Sequence, residues 1–391
     1  MLCYINIQCF YIFAISGVQK MQKKAKLIVA SGEKSADMLY ASGLFTPDDF
    51  IYFETVEEKA VVLSALEYDR GKASGHRHLN YYANSDFGKN SSFAVLIENI
   101  SREKNIREWL VPSDFPLLLA DNLRAKELTV TPCKELFFPE RECKSASEVE
   151  QIELAMRVTE KAMLAAKNIL IESEVSMDGS LVYCGELLTS EMLRTQIDMT
   201  LLKLRASAVG TIAAGGVQSA QPHNSGSGVI KAHTPVVIDI FPRLQSSGYF
   251  GDMTRTYVKH EAPAIVKKAF NAVVAARDEA KKFIRSGAVP SEIFAVADRV
   301  LKKHGFETGR TADGRNYGFF HSLGHGVGLE IHEAPRLGPG NFVPLKGGEI
   351  ITVEPGVYYP DWGGVRMEDI VLTEEKSCRT ITCMDDDFEL D

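Results

Sequence analysis

The sequence predicts two domains, an α/β domain over residues 21–142 and a larger α+β domain over residues 143–391. The first observation is length, because 391 residues exceed a single domain of about 150 residues. The second is that short apolar runs mix with amphipathic stretches in the first part of the chain. The third is that later amphipathic stretches are longer, with strand-like segments between and after them.

Composition narrows the class of protein. Hydrophobic residues make up 45% and charged residues 25% of the chain, which excludes a disordered, collagen-like or polytopic membrane protein. The net charge of −8 argues against broad nucleic-acid binding, which requires a basic surface. The cysteines are odd in number and none has CxxC spacing, so we expect a reducing compartment, the cytoplasm, rather than a disulfide framework.

Residues 1–20 differ from the rest of the chain, because they begin with the apolar and uncharged run MLCYINIQCFYIFAISGV. A signal peptide has basic residues before its apolar run, whereas here the lysines follow it. The run is also barely long enough to span a bilayer. We interpret residues 1–20 as a non-native extension ahead of a true start at Met21, with an anchor or a signal peptide as alternatives. No stable membrane association is expected.

The first domain contains predicted strands in KLIVAS, DFIYFE and KAVVLSA and a predicted helix in SSFAVLIENISREKNIREWL. The helix is predicted because apolar residues recur on one broad face, at Phe93, Leu96, Ile97, Ile100 and Ile106. His76 and His78 lie in the polar segment GHRHLN, where no carboxylate or third histidine is near in sequence. We therefore interpret them as solvated loop residues rather than metal ligands.

The second domain begins with a helix-start signal. Ser145 or Ser147 can cap a helix, and Glu148 follows Ser145 at the spacing of a capping box. The helix is predicted through EVEQIELAMRVTEKAMLAAKNIL, and a second, TSEMLRTQIDMTLLKLR, is capped by Thr189 or Ser190. Two more helices are predicted in APAIVKKAFNAVVAARDEAKKFIR and SEIFAVADRVLKKHG. Strands are predicted in VVIDIF, GDMTRTYV, GEIITVEPGVYY and VRMEDIVLT.

Acidic residues stand in the apolar strand segments of this domain. Asp239 interrupts PVVIDIF and Glu354 interrupts EIITVEPGVYY. Asp252 opens DMTRTYV, and Glu368 lies in VRMEDIVL. An ionised carboxylate removed from water is costly unless a partner compensates it, so any one of these residues alone indicates an ion pair. Four of them in one domain indicate a shared cation site.

The segment HSLGHGVGLEIH supplies histidines to the same domain, at His321, His325 and His332. The spacing of the first two would suit a helical metal pair, but three glycines in this segment argue against a helix. A glycine-rich strand or bulge, where the backbone approaches a site closely, is the better prediction.

Two predicted hairpins can bring the carboxylates together. Asp239 and Asp252 flank the turn-like segment PRLQSSG, and Glu354 and Glu368 flank PDWGG. Arg366 shares strand parity with Glu368 and is expected on the same side. Mainly carboxylate ligands with one imidazole suit Mn²⁺, Fe²⁺, Co²⁺ or Zn²⁺, and four negative charges balance two divalent ions. A water between two such ions is acidic enough to attack a carbonyl or phosphoryl group at neutral pH.

Five motifs together resemble those of the pita-bread metallopeptidase family, which includes methionine aminopeptidase, aminopeptidase P and prolidase. They are, in order, AQPHNSGSG, VVIDIF…GYFGDMTRTYV, FFHSLGHGVGLEIHEAP, ITVEPGVYY and GGVRMEDIVLT. The resemblance covers most of residues 145–375, and the combination is specific although each motif alone is weak. It implies an α+β catalytic domain with a curved antiparallel sheet covered by helices.

The resemblance implies a set of metal ligands, namely Asp239, Asp252, His325, Glu354 and Glu368. By correspondence with the family, Asp252 and Glu368 would bridge two ions. Asp239 would hold one of these ions, and His325 and Glu354 would hold the other. The implied cofactor is two divalent metal ions per chain, manganese in preference to cobalt, zinc or iron.

The same resemblance implies the catalytic and substrate-binding residues. Glu354 would accept a hydrogen bond from a hydroxide that bridges the metals and would move its proton. His223 and His332 would lie in the substrate cleft and stabilise the tetrahedral intermediate. His321 and Arg366 would bind substrate in supporting roles.

One departure from the family pattern concerns the first hairpin. Twelve residues separate Asp239 from Asp252 where the family usually has ten, and Phe241 replaces a glycine. Adding two residues to a hairpin keeps side-chain parity, so both aspartates can still face inward. The change is therefore expected to affect the turn and the cleft rim more than the metal ligands.

The α/β domain guides the choice within the family. Aminopeptidase P and prolidase resemble this chain in carrying such a domain, whereas methionine aminopeptidases have at most a short or unrelated extension. The resemblance therefore implies an Xaa-Pro aminopeptidase acting on peptides with proline in second position, or alternatively a prolidase restricted to dipeptides. A creatinase-like hydrolase or a non-catalytic binding protein is disfavoured, because such relatives lack ligands that are present here. A homodimer or higher homo-oligomer is also implied.

Overall fold

The computed structural model describes residues 23–88 and 91–391. The predicted extension over residues 1–20 lies outside the described residues. Across the described residues, no helix is both long and apolar enough to cross a membrane. The chain divides into two compact units after Phe137, a few residues before the boundary predicted from sequence.

A mixed sheet forms the first unit, with strand order β4-β3-β2-β1-β5-β6. The strands are β1 (Lys23–Ala30), β2 (Phe50–Glu54), β3 (Lys59–Leu63), β4 (Asn80–Ala83), β5 (Ile106–Val111) and β6 (Thr129–Pro132). The helices are α1 (Ala36–Ser42), α2 (Tyr68–Ser74), α3 (Asn84–Phe87), α4 (Phe93–Lys104) and α5 (Leu117–Arg124). The three strands predicted in this unit are confirmed as β1, β2 and β3. The predicted loop histidines, His76 and His78, are exposed residues between α2 and β4.

The helix predicted through SSFAVLIENISREKNIREWL is too long. It ends at Lys104, because Asn105 adopts a left-handed conformation with φ 57°. Ile106 therefore belongs to strand β5 rather than to the apolar face of α4, although it is buried in the same core. Asn105 indicates the end of the helix in the sequence, since asparagine tolerates the left-handed region better than most residues. The apolar periodicity continues past it and led to the longer prediction.

Helices α6 to α9 belong to the second unit and confirm the four predicted from sequence. They are α6 (Ala146–Glu172), α7 (Ser190–Lys203), α8 (Ala264–Lys281) and α9 (Pro290–Lys303). Ser145 and Glu148 form the predicted capping box, in which Ser145 N donates to Glu148 Oε2 at 2.9 Å. Thr189, rather than Ser190, caps α7.

The strands of the second unit form several small sheets. The strands before α8 are β7 (Glu174–Val175), β8 (Leu181–Tyr183), β9 (Glu186–Leu187), β10 (Ala206–Ser207), β11 (Ile212–Gly215), β12 (Val236–Ile240), β13 (Arg243–Leu244) and β14 (Met253–Lys259). Those after α9 are β15 (Gly309–Arg310), β16 (Asn316–Tyr317), β17 (His325–Gly326), β18 (Glu333–Arg336), β19 (Ile350–Val353), β20 (Gly356–Tyr359), β21 (Gly363–Arg366), β22 (Asp369–Thr373), β23 (Cys378–Thr380) and β24 (Glu389–Leu390).

Two of these sheets carry the predicted acidic and histidine residues. One has the order β11-β12-β14-β24 and the other the order β18-β17-β19-β22-β23. Neighbouring strands are antiparallel, apart from the parallel pair β14 and β24. Helices α8 and α9 pack with β19 to β22 in one hydrophobic core. Burial of apolar surface on one side of these strands therefore leaves their other side free to form a polar site.

Two predicted strands are broken where their acidic residues stand. GEIITVEPGVYY is divided into β19 and β20 by Glu354 and Pro355, and VRMEDIVLT into β21 and β22 by Met367 and Glu368. Proline has no N–H for a strand ladder, which accounts for the first break. Strands β20 and β21 pair as a hairpin, as predicted, so both glutamates lie at its open end.

Candidate active site

The first pair of acidic residues lies on the hairpin of β12 and β14. Asp239 of β12 stands opposite Thr254 of β14, and Asp252 immediately precedes β14. The antiparallel pairing predicted from the sequence is confirmed. The segment between the two aspartates contains β13, which pairs with β10. Both aspartates line the same cavity, and an effect of the longer spacing on the turn stays a prediction.

His325 lies on the short strand β17, in agreement with the predicted glycine-rich strand. A Cβ atom on the preceding Gly324 would lie 1.9 Å from Thr352 O, so only glycine allows β17 to approach β19 this closely. The His325 Nδ1–H group donates to Gly326 O at 3.1 Å. Its Nε2 therefore carries the lone pair, and it lies 3.6 Å from Asp252 Oδ2 and 3.4 Å from Glu354 Oε1. Burial lowers the pKa of His325 to about 3, which keeps the ring neutral.

Glu354 and Glu368 are each held by a threonine hydroxyl. Thr254 Oγ1 donates to Glu368 Oε2 at 2.7 Å, and Thr352 Oγ1 contacts Glu354 Oε1 at 3.4 Å. Both glutamates follow the end of a strand, where the backbone turns from one sheet to the next. The strand breaks thus direct these side chains toward the aspartates and His325.

Burial, together with neighbouring carboxylates, raises the pKa values of Asp252, Glu354 and Glu368, so these three groups resist ionisation without a compensating charge. Burial, followed by the charge of Glu368, raises the pKa of Asp252 well above its usual range. Burial and the charge of Glu354 raise the pKa of Glu368 in the same direction. Burial raises the pKa of Glu354 to about 8. Buried carboxylates that lie near one another in this way are expected at a site that binds a cation.

The available ligand atoms fit metal ions. One ligand atom each from Asp252, His325 and Glu368 lies within 4.8 Å of the others. Asp239 Oδ1 is buried and has no hydrogen-bond partner among the described residues. A buried carboxylate oxygen without a partner is costly in a folded protein, and a metal ion would satisfy it. Carboxylate oxygens and a neutral imidazole are suitable ligands for divalent first-row metals.

All the residues predicted for the site line one cavity of about 1020 Å³. The metal-ligand candidates are Asp239, Asp252, His325, Glu354 and Glu368, and the predicted substrate-binding residues are His223, His321, His332 and Arg366. The other histidines of the second unit, His233, His260 and His304, do not line this cavity.

Arg366, Tyr358 and His321 form a hydrogen-bonded chain along the cavity wall. Arg366 Nη1 donates to Tyr358 OH at 2.9 Å, and Tyr358 OH lies 3.0 Å from His321 Nε2. His321 Nδ1 donates to Ser322 O at 2.7 Å, so Nε2 accepts from the tyrosine hydroxyl. Burial lowers the pKa of His321 to about 4 and raises the pKa of Tyr358 to about 12. At neutral pH these hydrogen-bonded side chains therefore keep one protonation pattern, with Tyr358 protonated and His321 neutral.

His332 and His223 both line the cavity and are exposed. The ring of His332 contacts the ring of His325 edge-to-face, with centroids 4.4 Å apart. Burial and the charge of Arg336 lower the pKa of His332. Both histidines are thus accessible to a molecule that enters the cavity.

Sequence reasoning missed several lining residues, including Arg336, Phe320 and Tyr358. Arg336 is the most informative, because its guanidinium has no hydrogen bond or ion pair with the residues that the structure describes. The sequence motif gave no signal for it, since the motif FFHSLGHGVGLEIHEAP ends at Pro335 and Arg336 is the next residue. Phe241, predicted to affect the cleft rim, also lines the cavity.

Known proteins with similar sequences were found over this region. The model of metallopeptidase family M24 matches residues 150–375. The Xaa-Pro dipeptidase of Pyrococcus furiosus is 30% identical over 288 residues, which are 73% of this chain and 70% of that protein. The Xaa-Pro dipeptidase of Pyrococcus horikoshii is 27% identical over 353 residues, which are 89% of this chain and 91% of that protein.

Solved structures of the same kind match both units of the chain. The prolidase of Pyrococcus furiosus matches with a TM-score of 0.77 and 26% identity, over 92% of this chain and 96% of that chain. The X-Pro aminopeptidase of Thermotoga maritima matches with a TM-score of 0.80 and 23% identity, over 94% of this chain and 97% of that chain. These matches confirm the predicted fold class.

Proposed function

The chain belongs to metallopeptidase family M24, and from this premise we propose that it is an Xaa-Pro dipeptidase, which hydrolyses the bond between an N-terminal residue and a C-terminal proline. The sequence alone put the aminopeptidase first and the dipeptidase second. The two Pyrococcus relatives, which match by sequence over 70% and 91% of their length, are named Xaa-Pro dipeptidases, and this supports the second. The observation that carries the proposal is the cavity-lining Arg336, whose guanidinium has no hydrogen bond or ion pair within residues 23–88 and 91–391 and so can meet a substrate carboxylate.

In this proposal, five residues hold two divalent ions: Asp239, Asp252, His325, Glu354 and Glu368. Asp252 and Glu368 would contribute to holding both ions, and the positive charge would offset the burial and mutual repulsion of these two carboxylates. When bound, the ions supply Lewis-acid activation of the attacking water and of the scissile carbonyl. The neutral His325 supports this assignment because only an unprotonated ring nitrogen can be a ligand.

Three further groups act on the substrate. Glu354 accepts the proton of the attacking water and delivers it to the proline nitrogen as the peptide bond breaks. His223 and His332 lie along the same cavity and donate hydrogen bonds to the carbonyl oxygen as it gains negative charge. Their exposure to the cavity supports this role, since neither ring is committed to the protein core.

Arg366 orients the acidic side of the site. Its Nη2 donates to Asp239 Oδ2 at 2.8 Å and its Nε donates to Thr254 Oγ1 at 3.1 Å. Thr254 Oγ1 in turn holds Glu368. One guanidinium therefore fixes two of the proposed ligands, which is the usual role of groups that surround metal ligands.

Arg336 is proposed to bind the free carboxylate of the dipeptide. The guanidinium lies near enough to the site that its charge lowers the pKa of both His332 and Glu354. Arg366 also lines the cavity, but its nitrogens are engaged by Asp239, Thr254 and Tyr358. A bidentate carboxylate pair would fix the length of the substrate, since a tripeptide places its carboxylate elsewhere.

One observation favours the aminopeptidase alternative. A second cavity of about 510 Å³ shares Gln221, Pro222 and Phe320 with the catalytic cavity. It offers space into which residues after the proline could extend. The two proposals therefore differ in whether the substrate ends at Arg336 or continues into this second cavity.

Product analysis with matched substrates separates these two proposals. The manganese-loaded protein is incubated with an Xaa-Pro dipeptide and with the Xaa-Pro-Yaa tripeptide of the same first residue, with Glu354→Ala as an inactive control. Cleavage of the dipeptide alone is expected. Cleavage of the tripeptide at a similar rate would replace the dipeptidase proposal with the aminopeptidase, and cleavage of neither by a metal-loaded chain would exclude both.

The proposal includes three further properties. Manganese is the proposed metal, a homodimer or higher homo-oligomer is the proposed assembly, and the cytoplasm is the proposed location. The family resemblance supports the first two, and the absence of a disulfide-like cysteine pattern supports the third. Elemental analysis of the purified protein and sedimentation equilibrium test the first two directly.

A further inference from the structure

We propose that Glu333 is a positioning residue for His332, and that the anchor of Glu333 is the segment at the start of the second unit that carries Arg141 and Lys144. This inference rests on the proposed function, in which His332 contacts the substrate. Among the described residues, Glu333, Arg141 and Lys144 form no hydrogen bond or ion pair with the proposed metal ligands, and no role has been given to these three residues above.

Glu333 is tied to its surroundings by both carboxylate oxygens. Its Oε1 accepts from Arg141 Nη2 and from the backbone N–H groups of Leu329 at 3.0 Å and Glu330 at 3.1 Å. Its Oε2 accepts from Lys144 Nζ at 3.0 Å. The side chain is only 7% exposed, and these cations keep it ionised against the effect of burial, so that the pKa is lowered.

The two cations are themselves fixed. Lys144 has a side-chain exposure of 1%, and its Nζ also donates to Arg141 O at 2.7 Å. The side chain of Arg141 is 10% exposed. A buried lysine is rare unless it is paired, and here the carboxylates of Glu333 and Glu330 offset the charges of the two cations. The segment from Arg141 to Lys144 therefore holds the Glu333 carboxylate in one place.

The place of Glu333 sets the direction of His332. Glu333 opens β18 and stands opposite Gly326, the residue that follows His325 on β17. His332 is the residue just before β18 and lines the cavity, whereas the Glu333 side chain is turned to Lys144, so the anchored Glu333 fixes the backbone from which His332 projects. The carboxylate also closes the turn between the two strands through its bonds to Leu329 and Glu330.

The backbone around the turn leaves little room for another arrangement. A Cβ atom on Gly328 would lie 2.5 Å from Glu333 Oε2, so the glycine makes space for the carboxylate. Gly328 O also accepts from Phe250 N at 2.9 Å, which ties the turn to the first hairpin. The edge-to-face contact of His332 with His325 at 4.4 Å is the result of these constraints.

The chain offers a matched control at Glu330. Its side chain is 58% exposed and accepts from the same Arg141 Nη2, at 2.8 Å, but it makes none of the buried contacts of Glu333. Glu333→Gln and Glu330→Gln therefore remove the same charge beside the same arginine. Glu333→Asp, which keeps the charge but is one methylene shorter, serves if Glu333→Gln does not fold.

The experiment measures the position of His332 and the kinetics of each variant. The ¹³Cε1 resonance of His332 is recorded in the zinc-loaded, diamagnetic protein with labelled histidine and is assigned with His332→Gln. We expect Glu333→Gln to move or broaden this resonance and to lower kcat/KM for an Xaa-Pro dipeptide at least tenfold. The Mn²⁺ dissociation constant is expected to stay within about twofold of wild type, and Glu330→Gln to match wild type in every respect. Glu333→Asp is expected to show smaller changes of the same kind.

Three results would overturn the proposal. They are an unchanged His332 resonance in a folded Glu333 variant, equal changes in Glu330→Gln, or a fall in Mn²⁺ affinity that accounts for the loss of activity. If wild type does not cleave proline peptides, the proposed function fails, and the resonance of His332 alone decides the positioning role.

Discussion

Arg366 Nη2 lies 2.8 Å from Asp239 Oδ2, while the other oxygen of the same carboxylate is buried without a hydrogen-bond partner among the described residues. One oxygen is thus held by the protein and the other is left for a ligand. The same guanidinium reaches Tyr358 OH at 2.9 Å and Thr254 Oγ1 at 3.1 Å. Arg366 therefore connects the carboxylates of the site to the hydrogen-bonded chain that ends at His321.

Arg366→Lys is expected to lower metal affinity or kcat by roughly 10- to 100-fold, the usual effect of losing a group that holds metal ligands. Lysine keeps the charge but cannot donate in the three directions that the guanidinium uses. Calorimetric Mn²⁺ titration and steady-state kinetics measure the two effects. Wild-type values in both would show that the charge alone suffices.

Stability of the metal-free protein is expected to fall as pH rises from about 4.5 to about 8. In the folded chain, burial raises the pKa of Glu354 from 4.5 to about 8, so the folded state keeps a proton that the unfolded state loses. Because only the folded state keeps this proton, the free energy of unfolding falls by on the order of 1 kcal/mol per pH unit in this window. Below pH 4.5 Glu354 is protonated in both the folded and the unfolded chain. Above pH 8 it is ionised in both, so the loss of stability is complete there.

Urea unfolding with a chelator at several pH values between 4.5 and 8.5 measures this dependence. Manganese-loaded protein is the control, and its stability is expected to rise with pH because ligands must lose protons to bind metal. Equal pH dependence with and without metal would contradict the assignment of Glu354 as a ligand.

Asp369→Asn is expected to destabilise the protein by about 3–5 kcal/mol, the cost of breaking a buried ion pair. Asp369 Oδ1 accepts at 3.0 Å from Arg255 Nη2, and the Arg255 side chain is fully buried. Arg255 also donates to the carbonyl oxygen of Glu368 at 2.6 Å, so the pair supports the strand break at a proposed ligand. Chemical unfolding of both proteins measures the difference.

The control for this variant is Asp298→Asn. Asp298 pairs with Lys302 at 2.7 Å on α9, where both side chains are partly exposed. The change there is expected to be below about 1 kcal/mol, as for other surface pairs. Equal effects at the two positions would show that burial of Arg255 and Asp369 has no special importance.

Arg336→Met is expected to raise KM for an Xaa-Pro dipeptide by about 10- to 100-fold, since a hydrogen bond to a charged group is worth about 1.5–3 kcal/mol. The same variant is expected to act on the dipeptide amide as wild type does, because the amide has no carboxylate to lose. Steady-state kinetics with the two substrates provides the comparison. A similar loss for both substrates would place Arg336 outside carboxylate recognition.

Much of the site could be predicted because its acidic residues stand in apolar strand segments, where a charged group is costly without a partner. Asp239 and Glu354 are acidic residues in apolar segments, and such conflicts indicate function. The capping box at Ser145 and Glu148 was equally predictable, because it depends on neighbouring residues alone. The sequence also indicated the two hairpins, since turn residues separate the paired strands.

Other features could not be predicted because they depend on contacts between distant segments. Arg336 is recognised only when the cavity shows that its guanidinium has no protein partner among the described residues. Glu333 meets Lys144 across 189 residues of sequence. The end of α4 depends instead on a neighbouring residue in sequence. Asn105 terminates the helix, although the apolar periodicity continues beyond it.

A titration of metal-free protein with Mn²⁺, followed by hydrolysis of an Xaa-Pro dipeptide, tests the central claim most directly. The number of ions bound per chain and the initial rate are measured at each step on the same sample. We predict that activity is absent without metal, rises with added metal and is complete at two ions per chain. Hydrolysis without metal, full activity at one ion, or two bound ions without hydrolysis would contradict the account.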